Sequence, residues 1–587
     1  MDTKRMRVAK GEVPADLAVV NGLLVNVYTG EIYPGGVAVA GDTIAAVGDV
    51  GYALGPDTRV IDAGGRYIVP GFIDGHIHPE STSLSVRSFA EIVLKHGTTA
   101  IFTDLHEVGV VGGLEAIEAV LDEAKATDLA IYFVVPSHVP FSPFFETSGG
   151  HFDTEIIKRA LARPDAVGLS ECVGPAIAMG FPDLMASMDY ALSLGKSLQG
   201  HLPEMHGPLF NLCAAAGVTT DHEGLSGEDA LLRLRSGMHL MMREGSAARS
   251  LKELLAPILE KRLDTSRVSI VTDDLHTVDA VERGHLDDAV RTALKEGAGF
   301  AQAIQFVTLN AARAFGLDGK IGGLAPGRRA DINLTTGPED FKVESVIAGG
   351  RPVLEDGKML VHYPAAEHAE ILLNTVKLVR PVAPEDFEVR VPAGAISARV
   401  LAMDTLPWIP ITQGREVTLP VKDGVVQCDP DQDALYIAQV ERYGINGNIG
   451  KAFMGGFHLK SGAIASSVGH DNHNIIVLGT NHADMALAVN RVAALEGGQV
   501  VVRDGEVLGE IAYPVLGLLT DLSAEEAAEK KKALNALIHD MGSAIPIPFM
   551  FLSFISLAAI PEYAVTDHGF IDVLNQKIVD PVLEVIA

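Results

Sequence analysis

Short apolar runs recur along the chain in two rhythms. Over residues 11–66 they are brief and punctuated: Leu17-Ala-Val-Val-Asn-Gly22, Gly36-Val-Ala-Val-Ala-Gly41 and Thr43-Ile-Ala-Ala-Val-Gly48 are broken by Asn-Gly and Gly-Asp. Runs of this length, separated by turn signals, predict the strands of a small β-sandwich. From Tyr67 the rhythm becomes strand, helix, strand. Apolar runs occupy Tyr67–Ile73, Thr98–Thr103, Leu129–Pro136, Ala166–Ser170, Ser197–Gly200, Val218–Thr220, Met238–Met242 and Val268–Thr272, with helix-compatible segments between most of them. Eight buried strands alternating with helices predict an α/β fold built on a (β/α)8 barrel.

After the barrel segment a helix is expected over Ala301–Phe315, followed by the turn-rich Gly319-Lys-Ile-Gly-Gly-Leu-Ala-Pro-Gly-Arg-Arg-Ala-Asp331 and further β-like runs. These runs resemble the opening sandwich, so the two ends of the barrel segment are expected to close into one composite β domain. Pro381–Asp386 is proline-rich and acidic and reads as a linker. Beyond it lies an α/β segment with a strand at Asn474–Gly479 and a helix opened by the capping box Ser523-x-x-Glu526. The expected division is 1–69 and 320–380 for the two parts of the β-sandwich domain, 70–319 for the barrel and 381–587 for a C-terminal α/β domain.

Composition narrows the function classes. Hydrophobic residues are 48% and charged residues 21%, ordinary for a folded globular chain. The net charge of −30, from 46 basic and 76 acidic residues, leaves no surplus cation to displace counterions from a nucleic acid. Cys172, Cys213 and Cys428 are too few and scattered for a disulfide framework or a cysteine-rich zinc site, which points to a reducing compartment. The basic N-terminus is followed by no apolar signal core, so a cytoplasmic protein is expected. The uncharged run Met541–Ile560 is long enough to span a bilayer, but Pro546 and Pro548 interrupt it, and it is read as buried strand and turn rather than membrane.

In a barrel of this kind functional side chains sit at the C-terminal ends of strands. The first run ends in Gly71-Phe-Ile-Asp-Gly-His-Ile-His-Pro-Glu80, where period two points His76 and His78 the same way. Alone the pair means little: with 20 histidines in 587 residues, chance supplies roughly 0.7 His-x-His pairs. Further polar residues follow at strand ends, namely Glu171, His201, His222 and Asp273. Singly, each histidine fits a hydrogen-bonding loop residue and the Asp fits a helix cap. Together, four imidazoles and two carboxylates suit two divalent first-row metals with a bridging carboxylate, for which Glu171 is the candidate. Such a centre makes hydroxide near neutral pH, and Asp273 is placed to relay its proton.

With the closing Gly322-Gly-Leu-Ala-Pro-Gly-Arg-Arg-Ala-Asp331, this set resembles the amidohydrolase superfamily. More narrowly, His-x-His-x-Glu80-Ser81, Asp104-x-His106-Glu107, Asp221-His-Glu223, Arg243-Glu-Gly-Ser246 and His470-Asp-Asn-His473-Asn474 look like the adenine deaminases, over nearly the whole chain. The resemblance implies attack of a metal-bound hydroxide on C6 of a small purine base, with Glu171 where many superfamily members carry a carboxylated lysine. It implies manganese or iron, with zinc as a further option, and a homodimer or larger assembly. Glu80 and Glu223 are the candidates for protonating N1. Asp104, His106, Glu107, His285, His470, Asp471 and His473 are candidates for substrate-binding or supporting roles. The chain departs from the family after His201, where Leu202-Pro-Glu204-Met-His206 replaces the usual Pro-Gly; Glu204 and His206 read as solvated loop residues or as adjusters of purine choice. Deamination of a related aminopurine, a cyclic-amide hydrolase of the dihydroorotase or hydantoinase type, and an inactive scaffold are the alternatives. The late His-Asp-x-His-Asn is expected to wall off the barrel mouth and to matter to catalysis more than to folding.

Overall fold

The computed structural model describes residues 3–246, 248–406, 409–559 and 562–587. Eight parallel strands form the barrel: β1 (Phe72–Asp74), β2 (Thr98–Thr103), β3 (Ala130–Pro136), β4 (Ala166–Val173), β5 (Ser197–His201), β6 (Thr220–Asp221), β7 (His239–Arg243) and β8 (Val268–Val271). Every residue of β2 is buried, as a strand covered on both faces requires. The circle closes beyond the ends of β1 and β8. There Ile77–His78 pairs in parallel with Asp273–Asp274, and Asp273 N donates to His76 O at 3.1 Å. Closure thus joins two of the polar strand ends directly.

The run Tyr67–Ile73 is not one strand. Tyr67–Pro70 pairs with Ile332–Thr335 and with Leu23–Leu24 in a nine-stranded sheet, and only Phe72–Asp74 enters the barrel. Gly71 is the joint, because a Cβ there would stand 2.2 Å from Thr99 Oγ1 and 2.8 Å from Asp331 Cβ. The same sheet carries Leu17–Val25, Ile32–Ala40 and Thr43–Gly48 from the start of the chain and Val343–Ala348 and Arg351–Glu355 from after the barrel. Leu17, Val39 and Ile44 share one core with Ile332, Leu334 and Ile347, which makes the two sequence segments one composite β domain.

The expected helix Ala301–Phe315 is two helices, Phe300–Phe306 and Leu309–Ala314, broken where Val307 and Thr308 leave helical geometry. Residues 397–586 build a ten-stranded sheet with Ile475–Gly479 inside it. Ser523 caps the helix Ala524–Asp540 through the capping box with Glu526. The apolar run after it is not strand: Pro548–Phe554 is helical, with Pro548 in the first turn where its missing N–H costs no bond. Ile560, its last residue, lies outside the described residues. Among the described residues no helix is long and apolar enough to cross a membrane. The C-terminal sheet and helices do not stand apart from the barrel, since Ile77, Leu84 and Phe89 share a core with Ile511, Tyr513 and Ile538.

Candidate metal centre and its surroundings

Six side chains from five strand ends converge at the C-terminal mouth of the barrel. Glu171 Oε1 lies 3.3 Å from His76 Nε2, 3.8 Å from His78 Nε2 and 3.5 Å from His222 Nε2, while its Oε2 lies 3.6 Å from His201 Nδ1. Asp273 Oδ1 is 3.3 Å from His76 Nε2 and 3.5 Å from His78 Nε2. Most of these separations exceed good hydrogen bonds, and the buried His76 Nε2 and His201 Nδ1 have no hydrogen-bond partner among the described residues. Two donors each about 2.1 Å from a shared ion stand about 3.0–3.5 Å apart, so the spacing and the orphaned nitrogens fit metal ligation. The sets His76, His78, Asp273 and His76, Glu171, His222 each bring one donor atom per residue within 4.8 Å of the others. The two oxygens of Glu171 face different histidines, as a bridging carboxylate requires.

The backbone aims these groups. Glu171 and Asp273 hold φ of 50° and 58°, the left-handed region that non-glycine residues avoid. Asp74 Oδ1 accepts from His76 N at 3.2 Å and Asp74 Oδ2 accepts from the Thr272 hydroxyl at 2.6 Å, which fixes β1 against β8 below the mouth. Fully buried Asp221 accepts from Arg233 Nε at 2.5 Å and from Leu202 N at 2.9 Å, holding the turns after β5 and β6 that bear His201 and His222. Asp104 Oδ1 stands 3.3 Å behind His78 Nδ1.

The two candidate acids differ in environment. Glu223 receives Arg243 Nη1 at 2.8 Å and Nη2 at 3.2 Å on its two oxygens. Burial opposes its ionisation, but Arg243 and His201 hold the carboxyl well below the usual range. Arg243 Nη1 also donates to Asp273 Oδ2 at 3.1 Å. Glu80 is buried with Oε2 unpartnered, its Oε1 meeting Val108 N at 3.4 Å. Burial pushes its carboxyl up to about 7.

The C-terminal motif packs against the same mouth. His470 Nδ1 is 2.6 Å from Glu107 Oε1, and His473 Nε2 meets Glu107 Oε2. His473 Nδ1 accepts from Gly469 N at 3.3 Å, so its Nε2 carries the proton that it donates to Glu107. Both histidines are buried, and their pairing with Glu107 is the physical reason that burial is tolerated. Asp471 Oδ2 lies 3.8 Å from His106 Nε2, and neither ring nitrogen of buried His106 has a hydrogen-bond partner. His285 stands away from the donors, bound to Thr98 Oγ1 at 2.7 Å and 3.3 Å from Asp74 Oδ2. Glu204 and His206 face solvent.

Comparison with known proteins places this geometry. The amidohydrolase family profile matches residues 67–353, and that of the adenine deaminase C-terminal domain matches residues 410–577. The adenine deaminase of Moorella thermoacetica is 40% identical over 576 residues, covering 98% of this chain and 96% of that one. Adenine deaminase 1 of Carboxydothermus hydrogenoformans is 41% identical, covering 97% and 96%. The chain belongs to the adenine deaminase family. Adenine deaminase 4 of Rhizobium meliloti is 38% identical over 573 residues, covering 97% of this chain and 95% of that one. Membership of the amidohydrolase family implies divalent metal binding, and the donor sets above are candidate ligand groups for it.

Several residues around the centre escape a reading of strand ends. Arg243 lies in a motif of the family, yet its grip on both Glu223 and Asp273 has no spacing signal. Asp74 reaches Thr272 across the barrel, and Arg233 reaches back to Asp221 and the Leu202 carbonyl. His138, after β3, is a further neighbour, its ring 5.1 Å from that of His106. Burial, and then His106, pulls it down to about 4, so it is neutral.

Proposed function

We propose that this chain hydrolyses adenine to hypoxanthine and ammonia, using two divalent ions, manganese or iron, held by His76, His78, Glu171, His201, His222 and Asp273. The observation that carries the reading is Glu171, whose two oxygens face histidines on separate strand ends of a six-donor cluster. When bound, the ions supply Lewis acidity and lower the pKa of water from 15.7 to about 7. The chain's own residues do the rest. Asp273 accepts a proton from the attacking water and passes it to the amine as the C6–N6 bond breaks and ammonia leaves. Its Oδ2 is oriented by Arg243. Glu80 protonates N1, because its Oε2 has no partner among the described residues and its burial favours the protonated form, whereas both oxygens of Glu223 are engaged by Arg243; as ammonia leaves and the C6 carbonyl forms, the proton remaining on the C6 hydroxyl returns to Glu80. Glu223 instead orients Arg243. His106 and Asp471, at the junction with the C-terminal motif, bound the base, and the pairing of Glu107 with His470 and His473 excludes water from that side. The chain is further proposed to work in the cytoplasm as a homodimer or larger assembly, the expectation that its resemblance to the adenine deaminases raised.

The test is chelator-stripped protein reloaded with Mn2+ and assayed on adenine, dihydroorotate and hydantoin. Ammonia and hypoxanthine from adenine alone, regained at close to two ions per chain, are expected. Hydrolysis of a cyclic amide without turnover of adenine would replace this reading with the cyclic-amide one.

A further inference from the structure

Lys531, on the C-terminal helix Ala524–Asp540, has its side-chain amine buried with no carboxylate in ion-pair reach among the described residues, and burial pulls it down to about 7. Nζ donates to the Thr82 carbonyl oxygen at 2.9 Å and to the Thr277 hydroxyl at 3.0 Å. The Thr277 hydroxyl in turn donates to the same Thr82 carbonyl. The Tyr513 ring lies 5.9 Å from Nζ on the remaining side. Thr82 ends the turn Pro79–Thr82 that carries Glu80, and Thr277 begins the helix that follows Asp273 and Asp274. Beside this knot Ser81 Oγ donates to Asp274 Oδ1 at 2.5 Å.

An unpaired buried ammonium is costly, and an apolar side chain of similar length would fill the same space without that cost. Packing therefore does not account for a lysine here. Its donors do: an ammonium offers several N–H groups around one point, so a single side chain can bind both loops at once. We infer that Lys531 is a positioning residue by which the C-terminal domain holds the loops bearing Glu80 and Asp273 in mutual register. The inference rests on the roles proposed above for those two carboxyls.

The test compares Lys531→Met with the wild type as Mn2+-loaded full-length protein. A misplacement of reacting groups by the order of 1 Å costs up to about 10²-fold, so kcat on adenine is expected to fall at least about tenfold with KM little changed. The melting temperature is expected to hold or rise, since a buried amine with no counter-charge has been replaced by an apolar side chain. Amide hydrogen exchange should quicken in residues 79–85 and 273–278 and not on the opposite side of the barrel. Thr277→Val, which removes the other donor on the Thr82 carbonyl at nearly unchanged shape, should lower kcat in the same direction. Should Lys531→Met fail to fold, Thr277→Val decides the matter alone. Wild-type kcat in a folded variant, or loss of activity only in proportion to loss of folded protein, overturns the inference. The exchange pattern tests the loop register even if adenine is not turned over, and wild-type turnover separately tests the function.

Discussion

Glu171 and Asp273 occupy left-handed backbone, with φ of 50° and 58°, a conformation that costs on the order of 1–3 kcal/mol for a residue with a side chain. The barrel holds them there because the ladder between Ile77–His78 and Asp273–Asp274 and the pairing of β4 on both edges fix the neighbouring backbone. Asparagine tolerates this region well. Asp273→Asn is therefore expected to keep the wild-type melting temperature while lowering kcat by roughly 10³-fold, with adenine binding retained. Near-normal turnover in that variant would move the proton relay to another group, and Asp274 is the next candidate. Glu80→Gln is expected to lower kcat by about 10²-fold, with a larger loss than Glu223→Gln causes at N1 protonation; the reverse ranking would exchange their roles. At this scale the sequence was legible where chemistry coincides with a strand end, as for His76, His78, His201 and His222. It named no partner for Arg243 or Asp74, though both stand in the motifs quoted, and gave no signal at all for Lys531, because contacts between separate segments leave no spacing to read.

Elements explain both what could be anticipated and what could not. Runs of small, β-branched and apolar residues such as β2 and the end of β3 read correctly because parallel barrel strands are covered on both faces. The same property hid the joint at Gly71, since strands of two different sheets are equally apolar on either side of it. The short helix Pro548–Phe554 was missed because its prolines were read as interruption, whereas one of them opens the helix. The loop before Ile475–Gly479 is the element whose role the structure changes most. His473, expected to matter to catalysis more than to folding, pairs with buried Glu107, so His473→Ala should lower kcat/KM at least about tenfold and also lower the melting temperature, because a buried carboxylate loses one of its partners. Activity equal to wild type would leave the loop only a packing role, and an unchanged melting temperature would contradict the pairing.

At the scale of the molecule, the C-terminal domain reaches the barrel through a shared core and through polar ties that no linear motif announces. One of these is His368, with Nε2 2.7 Å from Asp521 Oδ2 and Nδ1 3.0 Å from Glu123 Oε1. The hydrogen bonds to Asp521 and Glu123 push it up to about 9. A histidine raised in the folded state contributes stability that is complete below its unfolded value of about 6.5 and is lost as pH climbs through the folded one. His368→Leu is accordingly expected to melt roughly 2–4 °C below wild type at pH 6, with the gap closing by about pH 10. A gap that stays constant over this range would show that the tie does not depend on the charged imidazole. Barrel, composite β domain and C-terminal domain serve one claim, that the centre adds water to C6 of adenine. The most direct measurement is mass spectrometry of the purine product after incubating Mn2+-loaded protein with adenine in 18O-labelled water, with ammonia counted in parallel. The expected result is hypoxanthine carrying a single 18O and one ammonia per adenine consumed, whereas unlabelled or ring-opened product, or no product from metal-replete folded protein, would contradict it.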